Sequence, residues 1–307
     1  MDTLTFALVN IPVSAITSFM NFFFVFCMVF PQQGKERLRQ PLNVLLGLLV
    51  GGNITLQICI FLYIVTVFYV DGILVFAVIA EMLFFTMRTS VTSSLWLNVF
   101  YYCQIVPAQC SVVIFLKRNI RIFIYSSIIA EKIFFLLGFS GRVEYIVLCQ
   151  QQLNTASNTT PWHEIRAKMM KLDDFLAVEV WLQCAYLLLC LFVMLTSSCV
   201  TILYLQKHMD RMKESSSSFS SPCLQKQMRV TITGVLQTFI YFLCLTWMIV
   251  RELLQLIFYE DIDNSSFISC TIICFYSFGT TFNLGVGQQI FRQHAFKGWQ
   301  KCLQTLT

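Results

Sequence analysis

Seven long apolar stretches, separated by short polar gaps, follow one another along the chain. A helix needs roughly 20 apolar residues to cross the hydrocarbon core of a bilayer, and each stretch comes close to that length. The pattern therefore predicts an all-α membrane protein, with residues 1–307 forming a single domain of seven transmembrane helices. The predicted spans are Leu4–Phe30, Leu42–Val67, Met82–Val106, Ile122–Phe139, Phe175–Leu205, Val230–Val250 and Phe267–Val286.

Few charged residues interrupt these spans. Glu131 and Lys132 are adjacent in the fourth span, and two neighbouring residues of a helix point in different directions. We therefore expect at least one of the two side chains to face the interior of the bundle or to extend to the interface. The second and third spans are hard to separate, because only Asp71 and Glu81 break the apolar run between them.

The composition excludes a water-soluble fold. Hydrophobic residues make up 57% of the chain and charged residues 12%, about half the charged fraction usual in soluble domains. So few polar side chains cannot cover the surface of a soluble protein of this size. The lipid bilayer is therefore an expected partner, and the net charge of +5 reflects topology and does not indicate nucleic-acid binding.

The basic residues predict the orientation of the bundle. The first, third and fifth gaps and the tail hold fourteen lysines and arginines, whereas the opposite side holds four, all in one loop. Cytoplasmic loops carry an excess of basic residues, so we predict an extracellular N-terminus in the plasma membrane. This orientation makes residues 1–3 extracellular, 140–174 the second outer loop, 206–229 the third inner loop and 287–307 the cytoplasmic tail.

Glycosylation motifs agree with this orientation. Asn158 and Asn264 each begin an N-x-S/T motif, and both lie in predicted outer loops. Asn53 begins a third match, but it lies inside a predicted helix, so we interpret that match as chance. We therefore predict Asn158 and Asn264 as glycosylation sites.

Several kinds of chemistry leave no motif in the chain. The thirteen cysteines lie mostly inside predicted spans, and no C-x-x-C pair or Cys/His cluster has zinc-site spacing. The seventh span has no lysine to hold retinal, and the GxxxxGK[ST], HExxH and GxSxG motifs are missing. We expect no metal, no cofactor and no enzymatic activity.

One segment near the inner end of the third span resembles a known family. Phe100-Tyr101 is followed by Gln104-Ile105, and Leu116-Lys117 is followed by Ile120. These residues resemble the Phe-Tyr-x-x-Lys-Ile and Leu-Lys-x-x-Ile patterns of type 2 (bitter) taste receptors. Gln104 stands where many members of that family have lysine.

A second segment supports the same resemblance. His208 and Met212 resemble the family's His-x-x-x-Met at the end of the fifth helix, and a Ser/Pro-bearing loop and a Phe/Tyr-rich sixth helix follow. The seventh span departs from the family pattern, with Thr280-Thr281-Phe-Asn-Leu-Gly-Val-Gly287-Gln288 at its inner end. This departure is what we would expect of a divergent, non-mammalian member.

The resemblance implies a G-protein-coupled receptor for small bitter-tasting compounds that activates a gustducin-type heterotrimeric G protein. Leu83, Met87 and Val91 step by four residues and share one helix face, which by family analogy lines the ligand cavity. Arg88 lies beside this face and costs roughly 2.5–3.5 kcal/mol at mid-membrane, so we expect it to contact ligand or to pair with Glu81 or Glu179. The predicted ligand-binding residues on the sixth helix are Tyr241, Cys244, Leu245 and Met248.

The predicted coupling residues lie on the basic side of the membrane. Phe100, Tyr101 and Gln104 are candidates for a switch, with core packing as the alternative. The other candidates are Lys117, Arg118, His208, Met212 and Arg229. For the basic residues among them, the alternative is the usual basic bias of cytoplasmic loops.

Two other functions remain open at this point. A vomeronasal type-1-like receptor also has a basic inner loop rich in Ser and Pro, but the Phe100-Tyr101 segment and the lack of a cysteine to pair with Cys149 at the outer end of the third span argue against it. A seven-helix transporter would need polar residues aligned through the bilayer, and the chain lacks the paired, broken half-segments typical of inverted repeats.

Overall fold

The computed structural model describes residues 2–30, 42–69, 73–107, 111–154, 162–214, 222–258 and 266–306. Within these ranges the chain forms nine helices, and seven of them are long and apolar enough to cross a membrane. The seven predicted spans are thereby confirmed. The helices are α1 Thr3–Val29, α2 Leu42–Tyr69, α3 Ile73–Ile105, α4 Ser111–Arg118, α5 Ile120–Asn154, α6 Trp162–Glu214, α7 Pro222–Phe258, α8 Phe267–Gly287 and α9 Gln289–Leu306.

Several helices extend well beyond the apolar spans. α6 has 53 residues, and it begins and ends within segments that the sequence analysis assigns to loops. α5 continues to Asn154, so part of the predicted second outer loop is helical as well. Hydropathy detects only the part of a helix that lies in hydrocarbon, and polar flanks can stay helical outside it. α7 begins at Pro222, a residue that fits the first turn because it needs no backbone donor there.

Contacts between rings and side chains give the direction of each helix. Phe6 stacks on Phe267 with ring centroids 4.7 Å apart, so α1 and α8 begin at the same end of the bundle. At the other end Phe24 stacks on Phe291 of α9 at 4.2 Å. We call the end where α1, α3, α6 and α8 finish the α9 end, and the opposite one the N-terminal end.

Hydrogen bonds between polar side chains join α1, α2, α3 and α8 inside the bundle. Ser14 donates to Gln57 at 2.6 Å, and Gln57 donates to Ser277 at 2.8 Å. Asn53 donates to Thr281 and accepts from Ser90, both at 3.2 Å. Asn53 is fully buried, which agrees with the interpretation of its glycosylation motif as a chance match. In an apolar solvent such bonds hold helices in register, because hydrocarbon offers these groups no other partner.

Glu131 and Lys132 in the fourth span point in different directions, as expected. Glu131 is buried between helices, and it accepts hydrogen bonds from the indole N–H of Trp96 at 3.3 Å and from the hydroxyl of Tyr186. Lys132 is exposed on the outer face of α5. The carboxyl group therefore faces protein donors, and the lysine has room to extend toward the interface.

Candidate ligand cavity and coupling surface

The predicted ligand-binding residues all face the interior of the bundle. Leu83, Met87, Arg88 and Val91 of α3 are at most 3% exposed, and the same holds for the four residues of α7: Tyr241, Cys244, Leu245 and Met248. The hydroxyl of Tyr241 donates to the backbone carbonyl of Leu187 at 2.7 Å, which joins α7 to α6. Their burial agrees with a place in a ligand cavity and equally with a place in the core.

A small cavity lies among α3, α5, α6 and α7 in the half of the bundle toward the N-terminal end. Arg88 and Met248 line it, together with Arg142 and Gln183. Its volume is about 10 Å³, which is close to the space that one water molecule needs. Two of the eight predicted ligand residues therefore border this cavity.

Arg142 forms a charged cluster beside this cavity. Its Nη2 atom lies 3.0 Å from Oε2 of Glu179, and its Nε lies 3.8 Å from Oε2 of Glu81. The two carboxylates that the sequence suggests as partners of Arg88 are thus bound by Arg142. Arg142 was not among the predicted site residues, because the second outer loop was expected to begin at residue 140, whereas Arg142 lies in α5 with a side chain that is 13% exposed.

Gly138 makes this ion pair possible. A Cβ atom at position 138 would lie 2.0 Å from Oε1 of Glu179 and 2.7 Å from its Cδ atom. Only glycine leaves space there for the carboxylate between α5 and α6. The sequence offered one signal for this role: Gly138 lies one helical turn before Arg142, on the same face of α5.

A third arginine lies toward the same end of the bundle. The guanidinium carbon of Arg251 is 4.6 Å from the centre of the Phe84 ring. An arginine in this position is attracted by the negative face of the ring, and the contact joins α7 to α3. Three of the helices that surround the small cavity therefore carry an inward arginine.

The α9 end contains a polar network without charged groups. Gln288 donates to the hydroxyl of Tyr101 at 2.5 Å, which joins the end of α8 to the end of α3. Asn283 donates to Gln237 at 3.1 Å, and Gln237 donates to Thr280 at 3.0 Å. A cavity of about 40 Å³ lies against these five residues.

The predicted coupling residues lie at this end too. Phe100 is buried next to Tyr101, with ring centroids 6.0 Å apart. The other candidates whose side chains the structure describes are exposed there: Gln104, Lys117, Arg118, His208 and Arg229. Met212 lies in α6, and nothing beyond its backbone is described. The structure thus brings a buried switch candidate and an exposed, mostly basic surface to the same end of the bundle.

Other predicted residues lie elsewhere or were missed. Asn158 and Asn264 lie outside the described residues, so their glycosylation stays a prediction. No role was predicted for Asn283 and Gln288, although the inner end of the seventh span departs from the family pattern. The signal was present, since polar residues at 280 and 283 in the apolar span, and at 288 just after it, indicate a face that contacts protein and not lipid.

The comparisons with known proteins agree with this arrangement. The search of curated proteins gives no match. Among solved structures, squid rhodopsin is similar in fold, with a TM-score of 0.55 and 12% sequence identity, over 100% of this chain and 89% of that one. This likeness shows that the chain has the seven-helix fold. The model of the family described as "Taste receptor protein (TAS2R)" matches residues 2–302. The chain belongs to this family of G-protein-coupled taste receptors, which are signalling proteins and not enzymes.

Proposed function

We propose that this protein is a plasma-membrane receptor for small bitter-tasting compounds and that it activates a gustducin-type heterotrimeric G protein. The observation that carries the proposal is the family match over residues 2–302, which includes both the residues near the small cavity and those of the α9 end. In this proposal the residues near the small cavity recognise the ligand, and those of the α9 end couple to the G protein.

The distribution of charge supports the orientation. The gaps that open at the α9 end carry most of the lysines and arginines of the chain. Since short cytoplasmic loops carry an excess of basic residues, the α9 end is the cytoplasmic side in this proposal. An acidic surface of the G protein would then meet Lys117, Arg118 and Arg229, which are exposed there.

Activation follows from differential binding. An agonist shifts the receptor only if it binds the active arrangement of helices more tightly than the resting one. In this proposal the agonist contacts the α3 and α7 stripes near Arg88, and the shift opens the α9 end. The hydrogen bond between Tyr101 and Gln288 joins α3 to α8, so it is a contact that opening would break.

The test is a signalling assay against chemically different ligands. The receptor is expressed with a chimeric Gα subunit that carries the gustducin C-terminus, and calcium release is measured against a panel of bitter compounds. Cells with the Gα chimera alone are the control. A response to steroids or amine odorants alone would favour a vomeronasal type-1-like receptor, and substrate uptake or currents without a G protein would indicate a transporter.

The orientation has its own test. An epitope tag at the N-terminus should be stained by antibody on intact cells, and a tag after residue 307 only after permeabilisation. The opposite staining pattern would contradict the assignment of the α9 end to the cytoplasm.

A further inference from the structure

The small cavity among α3, α5, α6 and α7 is bordered by side chains that donate hydrogen bonds. Arg88 of α3 and Arg142 of α5 both line it. A guanidinium group has five N–H donors and no acceptor, so it can bind an oxygen atom in the cavity while it keeps its other contacts. Gln183 of α6 lines the same cavity. A group that accepts hydrogen bonds therefore suits this space better than a group that donates them.

The amide group of Gln183 carries a donor that needs an acceptor. The side chain is 3% exposed, and its Nε2 atom makes no hydrogen bond to any residue that the structure describes. Oε1 of Glu179, one helical turn earlier, does not accept from it. A buried donor without an acceptor destabilises the fold, and native proteins rarely keep one unless water or a ligand supplies the acceptor. Gln183 is thus a candidate for a contact with a molecule in the cavity.

The volume of the cavity limits what can supply this acceptor. At about 10 Å³ it has room for one water molecule or for one oxygen atom of a ligand. A carboxylate, sulfonate or phosphate group has two or more oxygens and needs more space. The remaining side chains of the wall are apolar or weakly polar: Val180, Cys184, Leu187, Met248 and Ile249. The cavity therefore fits a single oxygen atom that is attached to an apolar body.

We propose that this cavity is a specificity subsite for the oxygen of a neutral carbonyl group on an agonist with an apolar ring body. The inference rests on the proposed function, because it places the agonist beside the α3 and α7 stripes. The carbonyl oxygen takes the position of a water molecule and accepts from Nε2 of Gln183 and from the guanidinium of Arg88. Displacing the water costs little, since the ligand replaces its hydrogen bonds. A protonated amine brings only donors to a space bordered by two guanidinium groups, so the subsite rejects it.

The test uses ligands that share one ring frame and differ only in the polar group. The probes are tetralone, which carries the carbonyl, tetralin, which lacks it, and the matching amine and carboxylate, aminotetralin and tetralin carboxylate. Binding is measured through the unfolding temperature of the purified full-length receptor in nanodiscs, and signalling through calcium release with the Gα chimera. We expect tetralone to bind at least about tenfold more tightly than tetralin, because the hydrocarbon leaves a buried donor unpaired. The amine and the carboxylate should both bind more weakly than tetralone.

Substitutions test the role of Gln183. Gln183→Met keeps the length of the side chain and removes the donor, so it should lose most of the preference for tetralone over tetralin. Gln150→Met makes the same change at an exposed position of α5 near the same end of the bundle and should keep the preference. Gln183→Leu replaces Gln183→Met if that variant does not fold.

Equal binding of tetralone and tetralin to the unmodified receptor, or no binding of any probe, would mean that the cavity holds only water and would overturn the proposal. Tighter binding of the carboxylate would indicate an anion site and would overturn it as well. So would an unchanged preference for tetralone in both Gln183 variants. Stabilisation by tetralone without calcium release would contradict the proposed G-protein coupling but support the carbonyl subsite, so the two failures can be told apart.

Discussion

The two ends of the bundle are held together by different forces. Toward the N-terminal end, charged groups join α3, α5, α6 and α7 through Arg142, its two carboxylates and Arg251 over Phe84. At the α9 end, the network of Tyr101 with Gln288 and of Asn283 with Gln237 consists of hydrogen bonds between neutral groups. Removing one member of a buried ion pair costs about 3–5 kcal/mol, whereas a neutral hydrogen bond contributes about 0.5–1.5 kcal/mol.

This difference suits a receptor in which one end keeps its shape while the other opens. Separating charges in a low-dielectric interior is expensive, so the N-terminal end should hold its helices in place. Each neutral bond at the α9 end is weak enough to exchange for a bond to water or to a partner protein. Substitutions at the two ends should therefore differ in effect, with the largest change at the ion pair and the smallest on the exposed surface.

Breaking the ion pair should have the largest effect. Glu179→Leu leaves the Arg142 guanidinium without its nearest carboxylate, and we expect a loss of about 3–5 kcal/mol in the free energy of unfolding. The measurement is the thermal unfolding of purified receptor in detergent. Glu164→Leu, an exposed position on the same helix, is the matched control and should change little. Arg142→Leu should lower the free energy of unfolding less in the Glu179→Leu variant than in the unmodified receptor. An equal loss in the two backgrounds would mean that the two residues do not interact.

Two glycine substitutions should differ in sign. Gly138→Ala forces Glu179 away from its place, since the new Cβ would overlap the carboxylate, and we expect about 1–3 kcal/mol of destabilisation. Gly51→Ala introduces the same atom into a helix where nothing lies within 4 Å. It should be neutral or stabilise the helix by up to about 1 kcal/mol. The same thermal assay measures both, and equal destabilisation would show that Gly138 is not needed for the ion pair.

Loosening the α9 end should alter signalling more than stability. Tyr101→Phe removes the hydroxyl that accepts from Gln288, and we expect basal, agonist-independent signalling to rise by up to about tenfold, the value of one hydrogen bond. The readout is inositol phosphate accumulation, normalised to receptor at the cell surface. Tyr125→Phe makes the same change in α5 and should leave basal signalling unaltered. If basal signalling is unchanged in Tyr101→Phe, the hydrogen bond between Tyr101 and Gln288 is not part of the switch.

Much of the fold was predictable from sequence because the bilayer imposes a simple rule. Seven apolar runs of sufficient length gave seven helices, and the ends at Leu42 and Phe267 agree with the structure. Helix ends in polar sequence were not predictable from hydropathy. α6, for example, continues to Glu214. α3 begins at Ile73, nine residues before the predicted Met82, because the apolar residues 73–80 belong to the same helix as the predicted span, and Glu81 between them is paired with Arg142.

Site residues that follow from spacing along one helix were predictable, whereas a cluster formed by side chains of three helices was not. The α3 stripe of Leu83, Met87 and Val91 follows from helical spacing alone, and all three residues are buried as predicted. The cluster of Arg142 with Glu81 and Glu179 needs the relative rotation of α3, α5 and α6, which no spacing along the chain encodes. Van der Waals packing and hydrogen bonds between helices decide that rotation, and any cavity between helices depends on it.

The smallest predicted effect concerns the exposed surface of the α9 end. Gln104→Lys places a positive charge on a side chain that is exposed there, so the fold should not change. A single rim charge contributes about 0–1 kcal/mol, and it acts mainly on the rate of encounter with an acidic partner. We therefore expect faster nucleotide exchange on the G protein at an ionic strength of about 0.01 M, where the Debye length is about 30 Å.

The gain should largely disappear at about 0.15 M, where the Debye length falls to about 8 Å. Gln151→Lys makes the same substitution near the N-terminal end of the bundle and should leave the exchange rate unaltered at either ionic strength. The assay is nucleotide exchange in membranes with purified G protein. An equal gain in both variants would mean that the added charge acts through the membrane surface and not through contact with the G protein, and the coupling surface would then not include Gln104.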